Sequence, residues 1–581
     1  MSAPLTRPTK DPAQRAWLRA LELTARATRD PARTLPCAIA EWAERYGERP
    51  ALIGDAETYS FGGLAARINQ YARWGLAQGA QKGATVALMM RNRPEYAAIW
   101  LGLIRIGAVV ALVSPEARGA GLAHALRVAG AHWAIASPEG AAAMQAAGFG
   151  GPIWSFGPGE RRLDETIALY SGAPLAPGDA PPTSLDDRAL RIFTSGTTGL
   201  PKAAEVSHRR IVTWTHWFAG LAGLTGEDRH YNCLPMHHSV GGVVAIGAPL
   251  VGGGAAAIAP RFSTAGFFDD VTRWDCTSFQ YIGELCRYLA AAPTHIRERR
   301  LKLRLALGNG LSGPVWAAFA ERFAQVRVLE FYASTEGNVW LYNVEGRPGA
   351  LGKLPPYLAA KAPIALARFD ADAQAPARRP DGFCDAADEG EALGRIGGDA
   401  ASRFEGYSDG AESEKKVLRN VFEPGDAWMR TGDLMRRDAQ GFYYFLDRVG
   451  DTFRWKGENV ATAEVAAELR ACPGVADALV YGVKVEGAEG RAGMATLAGD
   501  IDLVELARRL QALPRWARPV FLRLTDEIAR TETFKPKRAL YAAQGFDPAQ
   551  SGDRLFVLAH DAYAPLTGAV FDEIVTGARR L

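Results

Sequence analysis

Short apolar segments alternate along the first half of the chain with alanine-rich segments whose apolar residues recur at helical spacing. Strands are predicted at residues 85–89, 109–113 and 133–136. Strands separated by helices of about 10 to 15 residues form βαβ units, in which the strands run parallel and the helices cover the sheet. The pattern therefore predicts an α/β fold with helices on both faces of a parallel sheet.

Two apolar patterns have a membrane alternative. The longest apolar run, residues 97–113, is interrupted by Arg105 and Gly107. Because a membrane-spanning helix needs about 20 apolar residues, we predict a buried helix followed by a buried strand. Residues 12–29 have an amphipathic helical pattern that includes Trp17. This helix either packs into the core or lies on a membrane surface.

The stretch 192–202 reads Ile-Phe-Thr-Ser-Gly-Thr-Thr-Gly-Leu-Pro-Lys. Glycines let backbone N–H groups form an anion-binding concavity, hydroxyl groups add donors, and a lysine adds a mobile charge. We predict a phosphate-binding loop between two strands rather than a polar surface turn, followed by a helix that Ser207 caps. The loop is not a Walker A motif, because Leu200 and Pro201 separate Gly199 from the lysine. Its candidate residues are Thr194, Ser195, Gly196, Thr197, Thr198, Gly199 and Lys202.

Two later segments contain the other residue types that a nucleotide-binding site needs. Residues 307–313 read Leu-Gly-Asn-Gly-Leu-Ser-Gly, and residues 330–338 read Glu-Phe-Tyr-Ala-Ser-Thr-Glu-Gly-Asn. The glycines allow a flat base to approach the backbone, and the second segment combines an aromatic ring, a hydroxyl and a carboxylate. Together with the phosphate loop they point to ATP with Mg²⁺. The candidates are Gly308, Asn309, Gly310, Tyr332 and Thr335, with Glu336 as the metal ligand.

Three further features bear on the substrates. Asp433, after a predicted Thr-Gly turn, and Arg448, after a predicted strand, suit the two hydroxyls of a ribose. His237 and His238 are adjacent, which does not suit a zinc pair, so we expect one of them to face a pocket. The glycine- and alanine-rich residues 241–259 either leave room for a bulky apolar guest or form a tightly packed helix and strand.

Length, charge, cysteine pattern and the first residues predict the number of domains, the kind of partner and the cellular compartment. At 581 residues the chain should contain more than one domain. A net charge of +3 gives no basic stripe for nucleic acid. The six cysteines include no C-x-x-C pair, which favours a reducing compartment. Residues 1–11 contain no apolar signal-peptide region, so we expect a cytoplasmic protein and leave peripheral contact with the inner face of a membrane open.

The order of these motifs resembles the adenylate-forming superfamily of acyl-CoA synthetases and luciferases. The motifs are Thr194–Lys202, Glu330–Asn338, Thr431–Asp433, Arg448–Asn459 and Thr533–Lys537, and the likeness runs from about residue 51 to about residue 567. The segment 450–459 is similar to the fatty acid transport protein branch, the very-long-chain acyl-CoA synthetases. The resemblance implies a large N-terminal domain of mixed sheets with flanking helices, residues 1–448, and a small mobile α+β domain, residues 449–581.

The resemblance also assigns roles. It implies that His238 lines the substrate pocket, that Lys535 bridges the substrate carboxylate and the α-phosphate, and that Gly457 lines the tunnel for coenzyme A. Lys202 and Thr335 join His238 and Lys535 as the expected catalytic residues. Three positions depart from the wider superfamily: His237 replaces Tyr or Phe, Gly450 replaces a hinge Asp or Lys, and Phe534 replaces Gly. The last two occur in the transport protein branch as well.

The resulting functional hypothesis is an ATP-dependent ligase that activates a long- or very-long-chain fatty acid as an acyl-adenylate and transfers it to coenzyme A. Two half-reactions need different surroundings, so we expect the C-terminal part to turn about residues 447–450. Two alternatives stay open. One is an adenylating enzyme with another acid or acceptor, and the other is a fatty acid uptake protein with a vestigial nucleotide site.

Overall fold

The computed structural model describes residues 12–195, 200–359, 361, 363–370, 373–399, 402–456, 458–486, 488, 490–531, 534–579 and 581. The chain forms two compact units. The first comprises Met1–Leu354 and Gly398–Val417, and the second comprises Pro355–Gly397 and Leu418–Leu581. The second unit contains both sides of the expected domain boundary at residues 447–450, and that boundary stays a prediction.

The helices are, in chain order, α1 (Pro12–Ala27), α2 (Leu35–Tyr46), α3 (Phe61–Ala77), α4 (Pro94–Arg105), α5 (Gly119–Ala129), α6 (Pro138–Ala146), α7 (Leu163–Thr166), α8 (His208–Ala222), α9 (Ala245–Val251), α10 (Thr264–Arg273), α11 (Gly283–Ala291), α12 (Gly313–Arg322), α13 (Pro356–Ala359), α14 (Gly410–Glu414), α15 (Thr462–Arg470), α16 (Leu503–Leu510), α17 (Arg538–Gln544) and α18 (Gly568–Val575).

The strands of the first unit are β1 (Pro50–Ile53), β2 (Thr58–Ser60), β3 (Thr85–Met89), β4 (Val109–Leu112), β5 (Trp133–Ala136), β6 (Ile153–Ser155), β7 (Arg188–Ser195), β8 (Pro201–Ser207), β9 (Arg229–Asn232), β10 (Ala255–Ile258), β11 (Ser278–Ile282), β12 (Leu305–Asn309), β13 (Arg327–Ala333) and β14 (Trp340–Asn343).

Two sheets organise the first unit. The six-stranded sheet has the order β6-β5-β3-β4-β7-β8, and all its pairs are parallel except β7 with β8. Every residue of β3, β4 and β5 is buried, as expected for parallel strands covered on both faces. The predicted strands at residues 85–89, 109–113 and 133–136 are confirmed, and so is the α/β class.

The eight-stranded sheet has the order β14-β13-β12-β11-β9-β10-β1-β2. Its inner strands run parallel, and the edge strands β2 and β14 pair in the antiparallel sense. Because β12 and β13 are parallel neighbours, their carboxyl ends lie side by side. The predicted base-binding and Thr-Glu segments, which follow these two strands, are therefore adjacent in the fold.

Both patterns that had a membrane alternative pack into the core. Residues 97–113 form α4 and β4 as predicted, and all of α4 except Arg105 is buried. Trp17 of α1 is 1% exposed and contacts Trp217 and Tyr342 edge to face, with ring centroids 6.0 and 5.9 Å away. Among the residues that the structure describes, no helix has the length and apolar character needed to span a membrane.

The strands of the second unit are β15 (Ile364–Ala367), β16 (Phe369–Asp370), β17 (Ala375–Pro376), β18 (Ala386–Ala387), β19 (Glu389–Arg395), β20 (Val417–Arg419), β21 (Ala427–Arg437), β22 (Tyr443–Arg448), β23 (Phe453–Trp455), β24 (Glu458–Val460), β25 (Val475–Val483), β26 (Ala492–Gly499), β27 (Phe521–Thr525), β28 (Arg554–Ala559) and β29 (Ala562–Pro565).

The second unit also contains two larger sheets. One has the order β18-β15-β19-β21-β20, with β22 paired to β21. The other has the order β25-β26-β27-β28-β29 and shares a hydrophobic core with α15, α16, α17 and α18. This second sheet and its helices form the α+β part that was expected towards the C-terminus.

Candidate functional site

The two strands predicted on either side of the phosphate loop are confirmed as β7 and β8, which pair in the antiparallel sense. Thr194 and Lys202 face each other across this hairpin as Cα partners. Gly196, Thr197, Thr198 and Gly199 lie outside the described residues, as does the side chain of Ser195. Ser207 caps α8 as predicted, because its hydroxyl accepts a hydrogen bond of 3.1 Å from the Arg210 N–H.

A segment distant in sequence packs beside β8. The Glu205 N–H donates to the carbonyl of Gly406 at 3.0 Å, and the Ser408 N–H donates to the carbonyl of Ala203 at 2.8 Å. Tyr407 lies between these two bonds, opposite Ala204. Residues 406–408 thus extend the edge of the hairpin and bring Tyr407 beside Thr194 and Lys202.

Tyr407 connects the two predicted phosphate and metal segments. Its phenol donates a 2.9 Å hydrogen bond to Oε1 of Glu336 and also hydrogen-bonds Thr194. Burial and the Glu336 charge raise the pKa of Tyr407 well above its ordinary value, so the phenol stays protonated. The ammonium of Lys202 lies 5.6 Å from the Tyr407 ring centroid and 2.5 Å from Oε2 of Glu412.

The Thr335-Glu336-Gly337 segment is fixed by a half-buried arginine, Arg210. The Arg210 guanidinium donates to the carbonyls of Thr335 and Gly337, at 2.7 and 2.5 Å. Burial lowers the pKa of Arg210, and the nearby charges of Glu405 and Glu336 oppose that shift. The Thr335 hydroxyl shares a 2.9 Å hydrogen bond with the Ser239 hydroxyl. The backbone on both sides of Glu336 is therefore anchored.

A buried carboxyl supports the predicted base-binding segment. Glu330 is 1% exposed and accepts hydrogen bonds from the hydroxyl of Tyr281 and, at 3.1 Å, from the Leu311 N–H. Burial raises the pKa of Glu330 to about 8. A Cβ at Gly308 would lie 2.2 Å from the Tyr281 carbonyl oxygen, so close packing requires glycine there. Asn309 ends β12, Gly310 is exposed, and Tyr332 is half-buried on β13.

The two adjacent histidines precede a π-helix, Val240–Val244. Their ring centroids are 4.2 Å apart, His237 is 6% exposed and His238 is half-buried. Within the described part of the chain, no group of three His, Cys, Asp or Glu residues could hold a metal ion.

A Cβ at Gly242 would lie 1.9 Å from the Met236 carbonyl oxygen. Close packing therefore explains that glycine.

In the second unit, Asp433 and Arg448 are Cα partners on β21 and β22. Nε of Arg448 lies 3.3 Å from Oδ1 of Asp433, and the arginine side chain is 52% exposed. The Thr-Gly turn predicted before Asp433 is wrong: Thr431–Asp433 lies inside the continuous strand β21. Gly432 has φ +77° where the pairing with β19 shifts register, so this glycine makes a bulge instead of a chain reversal.

Asp447 ties β22 to α15 within the same unit. It is 2% exposed, and its carboxylate accepts hydrogen bonds of 2.6 Å from the Thr462 N–H and 3.1 Å from the Thr462 hydroxyl. The residue before α15, Ala461, has no side chain that could cap the helix, so Asp447 supplies the cap from a distant strand. Gly450 has φ +91°, a conformation that favours glycine at the predicted hinge.

Lys535 is exposed, and its loop is closed by two bonds to Thr531: the Thr531 N–H donates to the Lys535 carbonyl at 2.8 Å, and the Lys535 N–H donates to the Thr531 hydroxyl at 3.2 Å. Gly457 lies outside the described residues. The structure thus gathers Thr194, Lys202 and Glu336 in the first unit, and it pairs Asp433 with Arg448 in the second.

Thr194, Lys202, Glu336 and the side chains that contact them or hold the Thr335–Gly337 backbone form the first-unit cluster. Four of its residues were not predicted from the sequence: Arg210, Ser239, Tyr407 and Glu412. Ser239 directly follows the histidine pair, and Arg210 lies three residues after the cap Ser207. Both residues lie next to predicted motifs in the sequence, so a search of the residues that flank these motifs could have found them. Tyr407 and Glu412 lie about 200 residues from Lys202 and carry no local signal for phosphate binding.

Most of the chain is similar to known proteins. A family model described as "AMP-binding enzyme" matches residues 39–362. Long-chain fatty acid transport protein 1 of Homo sapiens is 38% identical over 94% of this chain and 88% of its own length. Long-chain fatty acid transport protein 3 of Homo sapiens is 41% identical over 86% of this chain and 76% of its own length.

The fold is similar to that of solved structures that contain ATP or an acyl-AMP. ATP-bound MatB from Rhodopseudomonas palustris matches with a TM-score of 0.74 and 23% identity, covering 91% of this chain and 99% of that one. The anthranilate CoA ligase AuaEII in complex with anthranoyl-AMP matches with a TM-score of 0.73 and 19% identity, covering 87% and 96%. The chain therefore belongs to the AMP-binding enzyme family, with the long-chain fatty acid transport proteins as relatives along most of its length.

Proposed function

We propose that this protein is an ATP-dependent ligase that activates a long- or very-long-chain fatty acid as an acyl-adenylate and transfers the acyl group to coenzyme A, releasing AMP and pyrophosphate. The names of the transport protein relatives support the class of acid. The observation that carries the proposal is the convergence of Thr194, Lys202 and Glu336 on Tyr407.

The chemistry begins with a charge problem. A fatty acid carboxylate must approach a triphosphate, and two unit charges about 4 Å apart repel by about 4 kcal/mol at an effective dielectric of 20. Lys202, at the base of the phosphate loop, offsets charge on the β- and γ-phosphates. Lys535 bridges the attacking carboxylate and the α-phosphate, and the hydroxyl of Thr335 donates to that phosphate. These groups stabilise charge as pyrophosphate leaves.

Glu336 is the proposed ligand of Mg²⁺. The Tyr407 bond to Oε1 orients the carboxylate. Mg²⁺ in nucleotide enzymes is commonly bound by one or two carboxylates together with substrate phosphates. A single anchored carboxylate beside a phosphate loop fits that mode better than an all-protein cage. When bound, the ion neutralises phosphate charge.

The remaining candidates bind the rest of the substrates. The segment from Gly308 to Gly310 and Tyr332 contact the adenine, and Asp433 with Arg448 bind the ribose hydroxyls. His238 lines the acid pocket. Gly457 lines the coenzyme A path for the second half-reaction, in which the thiol attacks the acyl-adenylate. No protein nucleophile is required, because the adenylate is already a mixed anhydride.

The test is a panel of acids from short to very long chains, scored by AMP release with and without coenzyme A. We expect rapid AMP release with long acids only when coenzyme A is present, together with the acyl-CoA thioester. Release without thioester would indicate another acceptor. Silence across all chain lengths would refute the ligase and favour an uptake protein with a vestigial nucleotide site.

A further inference from the structure

Lys202 makes an ion pair that the proposed reaction does not use. Its ammonium lies 2.5 Å from Oε2 of Glu412, and the two side chains are only 15% and 21% exposed. Lys415, one helical turn later, also contacts Glu412. These contacts lower the pKa of Glu412, so the carboxylate is ionised at neutral pH. The Glu412 carboxylate is therefore already paired with the lysine that is proposed to bind phosphate.

The position of Glu412 is fixed by the fold rather than by the ion pair alone. Glu412 lies on α14, which Asp409 caps through a 2.9 Å bond from the Ala411 N–H. The next residue, Ser413, accepts a 2.8 Å hydrogen bond from the Tyr407 N–H. The segment that carries Tyr407 is bonded to β8, the strand on which Lys202 lies. Backbone hydrogen bonds and the cap of α14 therefore hold the Glu412 carboxylate next to Lys202.

We propose that Glu412 is an internal competitor for the polyphosphate. It occupies the Lys202 ammonium when no nucleotide is bound, gives way when the β- and γ-phosphates arrive, and returns as pyrophosphate leaves. The reason is electrostatic, because a carboxylate paired with Lys202 cancels the positive charge that attracts the phosphates. Glu412 is a positioning residue, since it acts through Lys202. This inference rests on the proposed function, in which Lys202 binds those phosphates.

The competition has a signature that depends on the ligand. ATP and pyrophosphate carry the phosphates that contact Lys202, whereas AMP lacks them. Replacing Glu412 by the neutral isostere Gln should therefore lower the Kd of ATP and the Kd of pyrophosphate by about ten-fold each. This change corresponds to about 1.4 kcal/mol of binding free energy. The affinity for AMP should not change. In turnover, Glu412→Gln should lower KM for ATP and strengthen inhibition by pyrophosphate.

The experiment measures the Kd of ATP, pyrophosphate and AMP by titration calorimetry for the full-length protein and its variants. Glu345→Gln is the matched control, because Glu345 also pairs with a lysine, Lys353, at 3.2 Å and similar exposure. A double variant, Lys202→Ala with Glu412→Gln, is compared with Lys202→Ala alone. We expect the tightening in Glu412→Gln only, and none when Lys202 is absent.

Several outcomes would overturn the inference. Unchanged or weaker ATP binding in Glu412→Gln would mean that the carboxylate does not compete. Equal tightening of AMP, or tightening that persists without Lys202, would mean that the substitution acts through the structure at large. In each of these cases the wild type still binds ATP, and the proposed function stands. A wild type that binds neither ATP nor pyrophosphate would instead overturn the proposed function together with the inference.

Discussion

Tyr407→Phe is the most informative single perturbation of the first-unit cluster. It removes one hydroxyl, whose hydrogen bond of 2.9 Å orients the Glu336 carboxylate. The ring stays, so the contact with the Lys202 ammonium, 5.6 Å from its centroid, is kept. The burial that raises the pKa of Tyr407 also ensures that the wild-type phenol is a donor over the whole working pH range.

The expected size follows from that bond. A hydrogen bond to a charged group contributes about 1.5 to 3 kcal/mol, which is about ten-fold to about a hundred-fold in an equilibrium constant. Loss of a group that orients a metal ligand typically lowers the affinity for the metal by a similar factor. We therefore expect Tyr407→Phe to raise the Mg²⁺ concentration for half-maximal AMP formation by about ten-fold to about a hundred-fold.

The assay is a Mg²⁺ titration of AMP formation at saturating ATP, fatty acid and coenzyme A. Tyr444→Phe is the control, because its hydroxyl also donates to a carboxylate, Asp438 Oδ2, at 3.1 Å. That bond lies in the second unit and does not involve Glu336. An unchanged Mg²⁺ requirement in Tyr407→Phe, or an equal change in both variants, would mean that Tyr407 does not orient a Mg²⁺ ligand.

Three further variants test other parts of the account. Arg210→Lys replaces the two guanidinium nitrogens that bond the Thr335 and Gly337 carbonyls by one ammonium nitrogen, so we expect at least one of these bonds to be lost. An unsatisfied buried acceptor costs about 1 to 3 kcal/mol, so urea denaturation should show such a loss, and unchanged stability would contradict it. Lys535→Ala should lose ATP–pyrophosphate exchange but still form thioester from supplied acyl-adenylate, whereas equal loss of both would contradict the division of labour. The pKa of Glu330 is raised from 4.5 to about 8 by burial, so its contribution to stability is fully present below pH 4.5 and falls as pH rises towards 8. Glu330→Gln should flatten the fall in unfolding free energy over this window, and identical slopes would exclude a raised pKa.

The parts of the fold that the sequence revealed are those with a local signal. Buried parallel strands such as β3 read as continuous apolar runs, and the helix after β8 begins at a capping serine, Ser207. The phosphate-loop hairpin was predictable because Thr194 and Lys202 flank a dense set of glycines and hydroxyls. In each case a few consecutive residues determine the local structure.

The errors and omissions have a physical cause in long-range packing. The residues Thr431–Asp433 look locally like a turn, yet the pairing of β21 with β19 and β22 makes Gly432 a bulge in a long strand. Tyr407 reaches Glu336 only because residues 398–417 return to the first unit after a passage through the second. No local pattern in the sequence indicates that return.

In the proposed reaction this protein joins a fatty acid to AMP before coenzyme A takes part. ATP–pyrophosphate exchange without coenzyme A tests it most directly, with wild type and Lys202→Ala measured side by side. We expect labelled pyrophosphate to enter ATP only when Mg²⁺ and a long-chain fatty acid are present, and the lysine variant to lose most of this exchange. Exchange that requires coenzyme A, or that proceeds without any acid, would contradict the account.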